Sequence, residues 1–245
     1  MRLSLLSAIN AARADRRPCV VATPLDGGES IFRLEAEALC DDPFGGVLAA
    51  MLRDGKSGIH EFEGRRFFIE THRPPPRLVI IGAVHIAQAL APMARMTGLD
   101  VAIIDPRAAF ASERRFPDTR LLPQWPDDAL PSLGLDAFTA LAALSHDPKI
   151  DDPALKLALA AGCFYTGALG SRTSHARRVE RLRAGGVAAD QIARLRAPIG
   201  LDIGAVTPAE IAVAILGEII QALGKKPPRG EKAPADRAAS DVPGG

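Results

Sequence analysis

The sequence predicts an α/β protein: a doubly wound, mostly parallel sheet with helices on both faces, preceded by a small α+β N-terminal region. Three observations carry this. Residues 78–82 (LVIIG) are continuously apolar and stop at a glycine, which is how a strand buried on both faces of a parallel sheet reads. A helical pattern follows over residues 86–96, with Gly98 placed to end it. A second apolar run, VAIID, then fills residues 101–105. Strand, helix and strand in that order make a βαβ unit, the opening of a doubly wound sheet.

The elements before that unit are patterned more weakly. Leu3, Leu6, Ile9 and Arg13 suit a short amphipathic helix. Residues 19–25 (CVVATPL) read as a strand, with Gly27 and Gly28 as a turn. Residues 44–53 look helical, and residues 60–69 look like a hairpin turning at Gly64. Residues 1–70 are thus expected to form the small N-terminal region. Residues 71–76 (THRPPP) are a stiff linker, because three prolines favour an extended backbone.

Residues 77–224 are expected to form the Rossmann-like domain. Beyond the βαβ unit, further strands are expected near residues 138–144, 164–168 and 199–201, and a helix over 171–184. A last helix begins at Thr207-Pro208-Ala209-Glu210 and ends before Gly224. Thr207 caps it, Pro208 suits its first position, and Glu210 stands where a capping box needs its acceptor. Residues 225–245 are rich in Pro, Gly, Ala and charge, with little to bury, and read as a disordered tail.

Composition excludes several function classes. The 245 residues are 47% hydrophobic and 24% charged, enough for a sizeable core. The formal net charge of +1 gives no basic excess for nucleic acid or an anionic membrane surface. The N-terminal apolar stretch is too short for a signal peptide, and Arg16-Arg17 is not followed by the apolar run of a twin-arginine signal. The apolar stretch over residues 211–223 carries Glu218 and is too short to span a bilayer, so an integral membrane protein is not expected. Cys19, Cys40 and Cys163 are far apart and make no metal-binding spacing, so no metal site is expected and a cytoplasmic location is. Cys19 and Cys163 read as small core residues, while Asp41 and Asp42 beside Cys40 oppose a reactive thiolate.

Four stretches carry candidate chemistry. The first is Gly82-Ala83-Val84-His85, directly after the first strand of the domain, where backbone amides and a helix N-terminus can face a pyrophosphate. Only the first glycine of a G-x-G-x-x-G motif is present: Val84 and Ala87 replace the other two. Asp105 ends the second strand where a ribose-binding acid belongs. A plain βα turn that binds nothing fits these residues equally well. The second is Gly167-Ala168-Leu169-Gly170-Ser171-Arg172. Two glycines, a capping hydroxyl and basic residues make an anion cradle, and Arg172, His175 and Arg178 recur at helical spacing. Its bland alternative is a solvated basic face. The third is Ser145-His146-Asp147-Pro148, where His146 can serve as acid or base and Asp147 can orient it, or where the four residues are simply a turn. The fourth is Asp202, between Gly200 and Gly204, placed to hold a hydroxyl or ammonium group or its own loop amides.

Four segments together resemble the XdhC/CoxI family: GAVHIAQALAPMARMTGLDVAIIDPR, SHDPKIDDPALKLAL, CFYTGALGSRTSHARRVERL and PIGLDIGAVTPAEIAVAILGEII. They follow the family's order and cover most of residues 78–223. The resemblance implies a C-terminal Rossmann domain and an accessory role: binding molybdenum cofactor (molybdopterin) transiently, protecting it, assisting its sulfuration and delivering it to a xanthine dehydrogenase-type molybdenum hydroxylase. It implies that hydroxylase as partner, and leaves a cysteine desulfurase and a homodimer open. It makes the protein a chaperone rather than an enzyme and assigns no catalytic residue. Carried over by position, its cofactor-binding loops fall on Gly82, His85, Asp105, Arg107, His146, Asp147, Gly167, Gly170, Ser171, Arg172, His175, Gly200 and Asp202. Two departures stand out. The family reads G-x-G-H in the first turn, where this chain has Val84, and it carries a G-G-C segment near the N-terminus, where Gly27-Gly28 is followed here by Glu29.

Two other classes compete. An NAD(P)-dependent oxidoreductase is compatible with the fold, Asp105 and His146, but Val84 weakens the dinucleotide turn and the chain has a single tyrosine, Tyr165, within a strand. A degenerate scaffold that binds a partner enzyme without a ligand is compatible with Val84 and the short N-terminal region.

Overall fold

The structure is a computed structural model that describes residues 3–35 and 43–224. Cys40 and the expected tail lie outside those residues. The chain divides into two compact units, one ending at Arg73 and one spanning Pro74–Gly224.

The first unit contains α1 (Leu3–Ala14), β1 (Cys19–Pro24), β2 (Ile31–Leu34), α2 (Pro43–Asp54), β3 (Gly58–Phe62) and β4 (Arg65–His72). Its sheet is antiparallel, in the order β2-β1-β4-β3. Period-two alternation along β4 buries Phe67 and Ile69 and leaves Phe68 and Glu70 exposed. Val20 and Ala22 of β1 join Phe67 and Ile69 against Leu48, Ala49 and Met51 of α2. Phe44 of α2 packs its ring 4.9 Å from Phe62 and 4.8 Å from Phe67, within the range where aromatic pairs add to simple area burial. Cys19 is buried, and burial raises its thiol pKa. One boundary differs from expectation. Thr71 and His72 continue β4, where they pair with Val20 and Cys19, so the extended stretch is confined to residues 73–76.

The second unit contains β5 (Arg77–Ile81), α3 (His85–Met96), β6 (Asp100–Ile104), β7 (Arg120–Leu122), α4 (Pro126–Leu133), β8 (Thr139–Ala143), α5 (Pro148–Ala160), β9 (Tyr165–Ala168), α6 (Arg172–Ala184), α7 (Ala189–Ala193), β10 (Leu195–Arg196) and α8 (Pro208–Gly224). All six strands are parallel, in the order β7-β6-β5-β8-β9-β10. Alternation along β5 feeds two cores. Leu78 and Ile80 pack on one face with Leu90 and Ala94 of α3 and Ile215 and Ile219 of α8. Val79 and Ile81 pack on the other face with Leu130 of α4, Leu155 of α5 and Leu182 of α6. Each of the large side chains in these two cores contributes about 1.5–3 kcal/mol when fully buried. The result is a Rossmann-like, doubly wound domain.

The expected strand over residues 199–201 does not form. The sixth strand is the two-residue β10, earlier in the chain. The amide of Gly200 donates to Glu218 Oε2 of α8 (2.8 Å) and that of Leu201 to the Ala214 carbonyl (3.1 Å), so this segment bonds to a helix instead of the sheet. The start of α8 is as its sequence reads. Glu210 N–H donates to Thr207 Oγ1, and Glu210 Oε2 accepts from the Thr207 and Val206 amides. The helix continues through Gly224. Among the described residues no helix is long and apolar enough to cross a membrane.

Topology marks the crevice that sheets of this kind use most often. From β5 the chain runs outward to β6 and β7, then returns to the other side of β5 as β8. The order therefore reverses between β5 and β8, and the carboxyl ends of those two strands flank the crevice that such sheets use for binding.

Candidate functional site

The first turn leaves β5 at Gly82, whose φ of +101° favours glycine. Space makes the same demand: a Cβ here would lie 2.8 Å from both the Cα and the N of Ser145, in the loop after β8. Val84, by contrast, has a φ of −92°, caps α3 without a side-chain hydrogen bond, and packs its half-buried side chain against the first core. The turn keeps its backbone path without the second glycine.

Asp105 closes this turn. Its side chain is fully buried. Oδ2 accepts from the Ala83 amide (2.8 Å) and Arg107 Nη2 (2.8 Å), and Oδ1 accepts from the Arg107 amide and Nε (2.9 Å each). Those four bonds fill the acceptor sites of a carboxylate. Burial pushes the Asp105 carboxyl up, but the Arg107 side chain and the Ala83 and Arg107 amides together hold it below the usual carboxylate range. Arg107 stacks over the Phe110 ring at 4.7 Å. Arg115, which the sequence did not single out, braces the same turn by donating to the carbonyls of Ala83 (2.9 Å) and Phe110 (2.8 Å).

The loop after β8 is held from below. Ser145 Oγ donates to Asp151 Oδ1 (2.7 Å) and accepts the Asp147 amide (3.1 Å). Asp147 caps α5 through the Lys149 amide (2.9 Å). Between them His146 is exposed and held at a φ of +62°, a left-handed conformation that costs a non-glycine residue about 1–2 kcal/mol. Asp151 itself is fully buried, and its Oδ2 has no hydrogen-bond partner. Burial raises its pKa, against the Ser145 hydrogen bond and the attraction of Arg178.

The second turn joins β9 to α6. Ser171 caps α6 by accepting the Ser174 amide (3.3 Å) and lies 3.1 Å from the Ser174 hydroxyl. Ser171 and Arg172 are exposed and His175 half-buried, while Arg178, on the same helical face, is buried. Arg178 Nη2 donates to the Leu169 carbonyl (3.0 Å), but Nη1 and Nε are buried without hydrogen-bond partners, as is His175 Nδ1. Beside this turn lies a cleft of about 460 Å³, whose lining includes Leu169, Arg172, Ile199, Gly200, Asp202 and Ile211. Its floor is tied together by Glu218 Oε2, which accepts from Tyr165 Oη (2.7 Å) as well as from Gly200. Burial, then the Glu218 contact, raises the Tyr165 pKa.

The thirteen sequence-nominated residues therefore fall into separate groups. Arg172, Gly200 and Asp202 share the cleft, with Gly170, Ser171 and His175 at the adjoining helix end. Gly82, Asp105 and Arg107 form the first-turn network, joined through Ser145 to the loop of His146 and Asp147. His85 lies exposed on the first turn of α3, outside the cleft lining. Gly167 lies within β9, where a Cβ would collide with Tyr165 Oη and with Ile199, a residue of the cleft wall. Cys163 is buried just ahead of β9, its thiol pushed up to about 12 by burial and by nearby Asp136. The bond from Ser145 to Asp151 and the burial of Arg178 do not follow from the sequence reading. The sequence signals only that a charge stands on each of the two helices, not which side of the helix meets the core.

Comparisons with known proteins agree with this architecture. The profile described as XdhC Rossmann domain matches residues 78–219, more than half the chain. Escherichia coli (strain K12) protein YqeB is 34% identical over 191 residues, covering 73% of this chain and 35% of its own length. A Bacillus subtilis (strain 168) protein named as a probable xanthine dehydrogenase subunit is 31% identical over 163 residues, 66% of this chain and 47% of that protein. The molybdenum cofactor insertion chaperone PaoD of E. coli (strain K12) is 33% identical over 147 residues, 60% and 40% of the two chains. The chain thus spans less than half the length of these relatives. A crystal structure described as a xanthine dehydrogenase from Bacillus halodurans superposes with a TM-score of 0.63 at 22% identity, over 90% of this chain and 66% of that one, a likeness of fold.

Proposed function

The chain belongs to the XdhC family through its Rossmann domain, and from that premise we propose that it is an accessory protein that binds molybdenum cofactor, assists its sulfuration and aids its insertion into a xanthine dehydrogenase-type molybdenum hydroxylase. A relative whose name is that of a cofactor insertion chaperone supports this reading. The observation that carries it in this chain is Arg172, which stands at once on the first turn of α6 and in the wall of the 460 Å³ cleft. The cofactor is cargo with a phosphate at one end and an extended ring system at the other. Such a molecule needs an anion site opening into a partly apolar cleft. The N-terminus of α6 with Arg172 provides the first, and Leu169, Ile199, Leu201 and Ile211 provide apolar wall for the second. Asp202, exposed on the rim, is placed to accept hydrogen bonds from ring N–H groups. The closed first turn counts against the oxidoreductase alternative, because Asp105 has no acceptor site left for a ribose hydroxyl.

The test is anaerobic incubation of the purified full chain with molybdenum cofactor, then gel filtration and assay of the protein peak for molybdenum and pterin, with NAD(H) titrated in parallel. Co-elution of both without NAD(H) binding is expected. Binding of NAD(H) alone would transfer the protein to the oxidoreductases, and binding of neither would leave the scaffold reading. Arg172→Ala should weaken cofactor binding by about 1.5–3 kcal/mol, the worth of a hydrogen bond to a charged group, without changing the thermal midpoint.

A further inference from the structure

Arg178 is 5% exposed, yet only one of its three guanidinium nitrogens is hydrogen-bonded. Its nearest carboxylate oxygen is Asp152 Oδ1, 3.9 Å from Nε, and Asp152 is already taken up by Arg181. A buried cation so short of partners is unusual, because native structures pair such groups or neutralise them. The unpaired Nη1 also lies close to the β9–α6 turn. Gly170 has a φ of +143°, and a Cβ built on it would lie 2.7 Å from Ser174 Oγ and 3.8 Å from Arg178 Nη1. The arginine thus reaches up beneath the backbone of the β9–α6 turn. Above it, helix geometry leaves the Arg172 and Thr173 amides without intrahelical acceptors, and the Ser171 and Ser174 hydroxyls are rotors that can turn toward a new acceptor. His175 Nδ1 is a further unpaired nitrogen on the same turn of helix.

We propose that Arg178 is the floor of an oxyanion site at the N-terminus of α6, which takes a phosphate or phosphate ester between its unpaired Nη1 and the first-turn amides. Arg178 is the binding residue here, and Ser174 and His175 flank it. The acidic side chains facing the guanidinium are Asp151 and Asp152 of α5. They offset part of its charge but give Nη1 no acceptor. The site stands on this geometry. Only the identity of the ester, the phosphate end of the molybdenum cofactor, rests on the function proposed above.

The experiment follows thermal unfolding of the full chain against inorganic phosphate for wild type, Arg178→Lys and Arg177→Ala. A ligand that binds only the folded state raises the midpoint with its concentration. Lysine keeps the charge and loses the planar fork. Wild type and Arg177→Ala should show the same phosphate-dependent rise, and Arg178→Lys should bind about ten-fold or more weakly. No rise in wild type, or an undiminished rise in Arg178→Lys, overturns the site and leaves water as the partner of Nη1. Should Arg178→Lys unfold, arginine side-chain ¹⁵N spectra of wild type decide alone: one guanidinium must shift on phosphate titration, and a spectrum without that shift overturns the site. The gel-filtration assay separates the two readings. Phosphate binding without cofactor retention keeps the site and removes the cofactor; cofactor retention without phosphate binding does the reverse.

Discussion

The two glycine turns at the carboxyl edge of the same sheet have opposite characters. The turn after β5 is the one that most resembles a dinucleotide motif, and it is full. Gly82 is jammed against Ser145, the Asp105 carboxylate has all four acceptor sites occupied, and Arg115 ties down the Ala83 carbonyl. The turn after β9 matches no dinucleotide pattern, and it is under-bonded. Arg178 Nη1 and His175 Nδ1 lack partners, and Arg172 opens onto a cleft. The difference teaches that glycine count does not report whether a turn's donors are already satisfied. A glycine at φ +101° can serve packing alone.

Filling the first turn should cost stability and spare the second. Gly82→Ala puts a methyl group 2.8 Å from the Ser145 backbone and an L-residue at positive φ. The strain and overpacking together predict a loss of about 2–4 kcal/mol, read as a lowered urea midpoint. A loss below about 0.5 kcal/mol, within the scatter of ordinary surface substitutions, would mean that the turn is looser than its contacts indicate. Asp105→Asn comes next, at about 1.5–3 kcal/mol at pH 7, because an amide cannot accept from Ala83 and Arg107 with both ends. The sign of its pH dependence follows from the direction of the shift. Asp105 is held below its unfolded value, so its contribution is complete above about pH 3.9 and is lost as pH falls through the folded value. The gap between wild type and Asp105→Asn should therefore close in acid. A gap independent of pH would show that the lost stability is not electrostatic.

The sequence makes the closed region legible and hides most of the open one. The βαβ unit of β5, α3 and β6 is plain because a strand buried on both faces must be continuously apolar. The three-residue edge strand β7 carries too few residues to show any period. In α5, Pro153 breaks the helical pattern, yet burial of Ile150, Ala154, Leu155, Ala158 and Leu159 outweighs its missing donor. The apolar Ile199 and Leu201 read as strand, whereas the Gly200 amide bonds to Glu218 and the Leu201 amide to Ala214, both in α8. In the site, Ser171 as a cap and Arg172 as an exposed cation follow from local rules. The Asp151–Ser145 bond and the buried, unpaired Arg178 do not. Both depend on how α5 and α6 pack against the sheet, and a sequence window reports that a charge exists without saying which side of a helix meets the core.

The smallest expected effect bears most directly on the contrast between the turns. Burial, and then the neighbouring Arg178, lower the His175 pKa. The unfolded chain takes up this proton near about pH 6.5 while the folded protein resists it. Stability is thus unaffected above that pH and falls as pH drops from about 6.5 toward the folded value. His175→Gln should remove this part of the slope. Asp151, whose pKa is raised, titrates with the opposite sign, gaining stability as pH falls through its folded value, so the difference between wild type and His175→Gln isolates the histidine. Phosphate should flatten the same slope in wild type, because an anion beside Arg178 favours a protonated His175 and draws its pKa back toward the unfolded value. A slope that phosphate leaves unchanged would place the anion elsewhere on α6, out of reach of His175.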